Sequence, residues 1–257
     1  MSGRRRTIGV IGGMGPLATA DFYMRFVRAT PAAKDQDHLH VLIDSNTGIP
    51  DRTAAIEGRG PDPTPALVET ARRLVAAGAE VLAIPCNSAH AFIDEIRRAV
   101  PGVPVLDIME EVASSAAALR PPPAAAGLLA TSGTVRQRLY QAALDRRGIG
   151  VMAPDAEGQR VVSEAIASVK AGDTGPEVRA RVRGVADALV RAGAGVVVLG
   201  CTEVPLILGS GDVAVPVLDG TEILARAAVR EGLGEYHSDR ERSQGSIGAS
   251  IGPARRH

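Results

Sequence analysis

The chain has 257 residues, 45% of them hydrophobic and 23% charged, with 29 Lys+Arg against 29 Asp+Glu. This length fits one large α/β domain or two intertwined smaller ones, and the composition excludes bulk disorder. A net charge of zero gives no field for polyanions, and 2% aromatic content with no Trp leaves almost nothing on which to stack bases, so no nucleic-acid partner is expected.

Thr7-Ile-Gly-Val-Ile11 reads as a short strand, Gly12-Gly-Met-Gly15-Pro16 as a turn, and Leu17 to Arg28 as a helix with apolar residues at helical spacing. His40-Val-Leu-Ile43 is a second strand, Thr64 to Ala77 a helix opened by Pro65 and closed by Gly78, and Glu80 to Ile84 a third strand. A helix over Ser88 to Val100 precedes a strand over Val103 to Ile108, and Glu110 to Leu119 is helical until Pro121-Pro-Pro123. Ala125-Ala-Gly-Leu-Leu-Ala130 and Thr131-Ser-Gly133-Thr134 then restart the strand-and-loop grammar; Ser163 to Ala171 is helical, and Val196-Val-Val-Leu-Gly-Cys201 is again a strand. Alternating β and α predict α/β architecture with doubly wound, flavodoxin-like parallel sheets.

Each half has a glycine loop near its head and a strand ending in cysteine near its tail, at nearly equal spacing. The expected division is an N-terminal half over 1–110, completed by 216–236, and a C-terminal half over 111–215. Residues 237–257 are expected to be a disordered tail, and Gly248-Ala-Ser250-Ile-Gly252 within it fits the nucleophile-elbow pattern only by chance, since no strand precedes it. No run of about 18 apolar residues predicts a membrane span. Arg4-Arg-Arg6 before an apolar stretch imitates an export signal, but Gly9, Gly12, Gly13, Gly15 and Pro16 break that stretch, so a cytoplasmic location is expected.

Cys86 and Cys201 are the two cysteines, too few for a disulfide scaffold. Each sits where a predicted parallel strand opens into a loop or helix, the place at which open α/β sheets bind ligands. The helix predicted after Cys86 would aim its N–H groups at the sulfur and favour thiolate. Two thiols on opposite faces of one carbon could invert a stereocentre, one taking a proton and the other giving one, without cofactor or metal. Asn87, Ser88 and Thr202 offer groups to hold a substrate carboxylate. His90 is a candidate helper of Cys86 or a capping residue, and Glu203 either assists Cys201 or fixes local structure.

Gly12-Gly-Met-Gly15-Pro16-Leu-Ala-Thr19, Asn46-Thr-Gly-Ile-Pro50-Asp-Arg52-Thr53, Cys86-Asn-Ser-Ala-His90, Ala130-Thr-Ser-Gly-Thr134 and Gly200-Cys-Thr-Glu203-Val-Pro205 together resemble the aspartate/glutamate racemase family, in its aspartate racemase branch. The resemblance implies two similar domains about a pseudo-twofold axis with a cleft between them, a homodimer, and cofactor-independent racemisation of a small acidic amino acid. It gives Cys86 and Cys201 the base and acid roles and adds Met14, Thr131 and Thr134 to the substrate site. Ser88 stands where the family usually has Thr, and Thr47 where Pro is frequent.

Arg52 lies in the loop that the family sets against the side-chain carboxylate, and its planar fork suits that group. Lys170 is one of only two lysines, with Lys34, in an arginine-rich chain, and matches a family lysine associated with the distal carboxylate. Aspartate is the expected substrate, with glutamate next, because one methylene is worth only about 1–3 kcal/mol.

Three alternatives stay open. One is a cis–trans isomerase or decarboxylase of the same superfamily working through a single cysteine; a second is a sensor that keeps the amino-acid cleft without catalysis. The third is nucleotide binding through Gly13-Met-Gly15-Pro-Leu-Ala18, although Pro16 removes an N–H and only Asp44 offers a late acidic partner. A zinc site from Cys86, His90 and Cys201 lacks a fourth ligand and a usual spacing, so no metal is expected.

Overall fold

The computed structural model describes residues 4–234. The 237–257 segment, with its Gly-x-Ser-x-Gly match, lies outside the described residues. The architecture is α/β with two sheets in which every strand pairing is parallel. In the first sheet β1 (Ile8–Gly12), wholly buried, lies between β2 (Val41–Ser45) and β3 (Val81–Ala83). In the second, β4 (Ala125–Ala130) and β6 (Val196–Gly200) are central, with β5 (Gly150–Met152) and β7 (Val217–Asp219) at the edges in the order β5-β4-β6-β7. Burial on both faces accounts for the unbroken aliphatic runs of β1 and β6.

The strand expected over Val103 to Ile108 contracts to one parallel bridge between Leu82 and Val105. Leu82 N–H donates to the Pro104 carbonyl at 2.8 Å, and Leu106 N–H to that of Leu82 at 2.9 Å. Pro101 and Pro104 supply no N–H, and Asp107 already begins a helix. With this bridge counted as a fourth position, both sheets run second, first, third, fourth in chain order.

The repeat is deeper than the glycine loops and cysteines suggest. Val103-Pro-Val-Leu-Asp107 recurs unchanged as Val215-Pro-Val-Leu-Asp219. Each copy supplies the fourth sheet position and ends in an Asp that caps the following helix. Asp107 accepts from the Met109 and Glu110 N–H groups of α5 (Ile108–Ala118), and Asp219 from those of Thr221 and Glu222 in α10 (Gly220–Gly232). Gly9 and Gly127 are a second matched pair. A Cβ on Gly9 would lie 2.7 Å from Ala79, and one on Gly127 3.2 Å from Ala194, so each strand comes close to the helix preceding its neighbour. Those helices are α3 (Thr64–Ala76) and α9 (Pro176–Arg191), each with Pro in its first turn.

The segment expected to complete the N-terminal half is divided between the halves. β7 stays in the second sheet, while α10 packs on α1 (Pro16–Ala29), and Arg6 N–H donates to the Gly232 carbonyl at 2.8 Å. α5 packs on α10 and on α7 (Gln141–Asp145). One buried cluster containing Ile8, Phe22, Tyr140 and Leu224 therefore joins the halves. The helix expected from Ser163 starts earlier, as α8 (Ala156–Lys170), because Asp155 accepts from Gly158 N–H and nucleates the first turn.

Candidate active site

β1 delivers the chain into Gly12-Gly13, where Gly13 takes φ 87°. A Cβ on Gly13 would fall 2.4–2.6 Å from the Asn46 backbone, so only glycine allows the two loops to touch. Gly13 N–H donates to Thr19 Oγ1 at 2.9 Å, and that hydroxyl donates to the Gly15 carbonyl at 2.8 Å. A loop whose N–H is used internally and whose open face is filled by Asn46 has no cradle for a phosphate, which argues against the nucleotide alternative.

A cavity of about 380 Å³ lies between the halves. Met14, Thr47 and Arg52 line it from the first half, and Val169, Lys170 and Glu203 from the second. An adjoining cavity of about 200 Å³ is walled by Thr53, Thr131, Ser163 and again Lys170, which closes the last turn of α8 and faces both spaces. Arg52 begins α2 (Arg52–Ile56), capped by Asp51. Its side chain is buried, one terminal nitrogen donates to the carbonyls of Ile49 and Pro50 at 3.2 and 2.8 Å, and its Nε has no acceptor among the described residues. The sequence could not say that part of this guanidinium holds its own loop together.

Both cysteines are free and buried, and neither is among the walls of these two cavities. Cys201 Sγ–H donates to Glu203 Oε2 at 2.9 Å, and Thr202 Oγ1 donates to the same oxygen at 3.3 Å. Glu203 is itself buried and comes against Gly15 of the first half: its Oε1 is 3.4 Å from where a Cβ on Gly15 would stand. Burial, then the adjacent carboxylate, pushes the Cys201 thiol well above the ordinary range, so it is protonated at neutral pH with an acceptor beside it. In a Cys86→Ala background, which leaves Cys201 as the sole thiol, Glu203→Gln is expected to move thiolate formation to lower pH. Ultraviolet thiolate absorbance against pH checks this; an unmoved midpoint would contradict it.

Cys86 Sγ lies 3.7 Å from Ser88 Oγ. The helix expected over Ser88 to Val100 is instead a 3₁₀ segment, Ser88–Phe92, followed by α4 (Ile93–Ala99). The break follows from His90. Its Nδ1 is 2.9 Å from the Cys86 carbonyl, and its Nε2 accepts from Ile108 N–H at 3.2 Å. Both ring nitrogens are thus spent on the backbone, so this imidazole ties the Cys86 loop to α5 and is not placed to take the thiol proton. Burial lowers its pKa below the ordinary value of about 6.5. The buried neutral ring stabilises the fold fully above about pH 6.5, and that contribution is lost as pH falls and the unfolded chain takes up the proton. The melting temperature should therefore fall more steeply with acidification in the parent protein than in His90→Ala. At neutral pH that variant should lose about 1–3 kcal/mol, measured by denaturant unfolding.

Asn87, Ser88, Thr134 and Thr202 are all buried. Thr131 caps α6 (Ser132–Arg136) and its hydroxyl is 3.0 Å from that of Thr134, so Thr134 is committed to the cap. Asn87 Oδ1 accepts from Tyr140 at 2.5 Å, and Asn87 Nδ2 has no acceptor among the described residues. Tyr140 was not expected at the site; its sequence context, Arg138-Leu-Tyr140, carries no signal beyond a lone aromatic in an aromatic-poor chain. Among the described residues no group of three or more His, Cys, Asp and Glu is arranged to hold a metal, and no helix is long and apolar enough to cross a membrane.

Two parallel-sheet halves with a cavity between them, lined by Arg52 from one half and by Lys170 and Glu203 from the other, define a class of protein that other sequences share. The Asp/Glu/hydantoin racemase family model matches residues 11–228, and the chain belongs to that family. Racemases are isomerases, and the relatives act on amino acids. The chain is 27% identical over 228 residues to the broad specificity amino-acid racemase RacX of Bacillus subtilis, covering 86% of this chain and 96% of that one. It superposes on Picrophilus torridus aspartate racemase with a TM-score of 0.79 at 30% identity, covering 88% of this chain and 94% of that one. An aspartate racemase homologue from Pyrococcus horikoshii gives 0.70 at 27% identity, covering 88% and 99%.

Proposed function

We propose that the chain racemises an acidic amino acid, aspartate before glutamate, by a two-base mechanism in which Cys86 and Cys201 work from opposite faces of Cα. The observation that carries the reading is the inter-half cavity, which sets two cations, Arg52 and Lys170, beside the carboxylate to which Cys201 is bonded. Two cations fit a dicarboxylate better than a neutral amino acid, through charge pairing in a partly desolvated cleft. The unpartnered donors Arg52 Nε and Asn87 Nδ2 are suited to carboxylate oxygens.

In one direction the Cys86 thiolate takes the α-proton, the electron pair passes into the α-carboxylate, and Cys201 delivers its proton to the other face of the carbon. The enzyme then holds a Cys86 thiol and a Cys201 thiolate, the starting state for the reverse direction. Glu203 supports this exchange by accepting a hydrogen bond from the Cys201 thiol, which holds that sulfur in place. No step draws on a metal or a redox cofactor. The working unit is proposed to be a homodimer in the cytoplasm.

The test is chiral separation after incubating L- and D-aspartate, L- and D-glutamate and neutral amino acids with purified protein and no additive. Interconversion of aspartate faster than of alanine supports the reading. Racemisation confined to neutral amino acids would overturn its substrate assignment, and decarboxylated or cis–trans products would replace it with the single-cysteine alternative.

A further inference from the structure

Among the described residues Tyr140 is the largest fully buried side chain, and it stands between the two cysteine loops. Its hydroxyl donates to Asn87 Oδ1, next to Cys86, at 2.5 Å. Its ring packs on Gly200, next to Cys201, so closely that a Cβ there would be 3.1 Å from the ring edge. The Asn87 amide accepts this bond and leaves Nδ2 buried with no acceptor among the described residues.

An isolated amide can turn over and present either its oxygen or its nitrogen to a ligand. Here the phenol decides. Asn87 Oδ1 is the acceptor it has, and if the amide turned over, the phenol proton and the amide oxygen would both be left unsatisfied in a dry interior. Burial raises the Tyr140 pKa far beyond the working range, so the hydroxyl stays a donor throughout.

We infer that Tyr140 is a positioning residue for the reaction: its hydroxyl locks the Asn87 amide with Nδ2 turned toward the substrate α-carboxylate. This rests on the racemase reading above and deepens it. As the α-proton leaves, negative charge gathers on that carboxylate, so a fixed N–H donor gains strength in the transition state and acts on kcat more than on KM.

The experiment combines Tyr140→Phe, Asn87→Ala and the double variant, with aspartate racemisation as the first readout. The phenyl ring still fills the space beside Gly200, so Tyr140→Phe is expected to fold. Its kcat should fall about tenfold, with KM changed less than about threefold, in line with one hydrogen bond strengthened in the transition state. In the Asn87→Ala background the same change should cost nothing further, because its only route to the substrate is gone. Full additivity in the double variant, or an unchanged kcat in Tyr140→Phe, would overturn the inference while leaving the racemase reading intact.

A second readout does not depend on turnover. The chain has two asparagines, Asn46 and Asn87, so selective ¹⁵N labelling of the side-chain amides gives two assignable signals. Tyr140→Phe should shift the Asn87 signal and leave that of Asn46 in place. An unmoved Asn87 signal would overturn the inference, and a parent protein that exchanges no amino-acid α-proton would overturn both it and the reading on which it rests.

Discussion

Replacing either Cys86 or Cys201 by Ala is expected to reduce aspartate racemisation by at least about 10²–10⁴-fold, the worth of a positioned acid or base. The two losses should be alike in overall racemisation and unlike in what survives. With one thiol gone the other can still lift a proton from its own face and return it there. Each variant should therefore wash solvent deuterium into a single enantiomer, and the two variants should choose opposite enantiomers. Among the described residues, replacing Cys201 also leaves the buried Glu203 carboxylate with only the Thr202 hydroxyl at its Oε2, so this variant should be the less stable of the two. Full turnover in either single variant, by a chiral assay, would contradict the two-base scheme.

Arg52→Ala carries the second large effect. The guanidinium holds the Ile49 and Pro50 carbonyls, its residue lines the inter-half cavity, and its Nε has no acceptor among the described residues, so its loss has a general and a selective part. The general part is two backbone hydrogen bonds of about 0.5–1 kcal/mol each, which would slow every substrate about five- to thirtyfold. The selective part is a charge-assisted contact to the distal carboxylate worth about 2–4 kcal/mol. The kcat/KM for aspartate should then fall about 10²–10⁴-fold, against roughly tenfold for alanine. Arg52→Lys should recover little, because an ammonium cannot bridge loop carbonyls and substrate together. Equal losses on aspartate and alanine would make this arginine a brace for its loop alone.

Much of the fold was legible because parallel strands buried on both faces write themselves as aliphatic runs, and Ala125–Ala130 coincides with its expected strand. Helix starts were less well placed wherever a side-chain cap decides them. Asp155 moves the start of α8 well before Ser163, an N-cap signal present in the sequence. The Val-Pro-Val-Leu-Asp repeat was equally visible and is stronger evidence of duplication than the cysteine spacing. At the site, residue types identified Cys86, Cys201, Arg52 and Lys170 as candidates, but three contacts needed three dimensions. His90 spends both ring nitrogens on the backbone, Glu203 bonds the thiol two residues before it, and Tyr140 reaches Asn87 from the other half of the chain. Side-chain contacts of this kind, local or long-range, leave no periodic trace.

The claim that two sulfurs serve opposite faces of one carbon is tested most directly by the first turnovers of the parent enzyme on protonated L-aspartate in D₂O. Two distinct proton carriers predict that the D-aspartate formed early carries deuterium at Cα while the remaining L-aspartate keeps its hydrogen. Deuterium entering both enantiomers equally from the start, or hydrogen carried over from substrate to product, would point to one shared base and contradict the account.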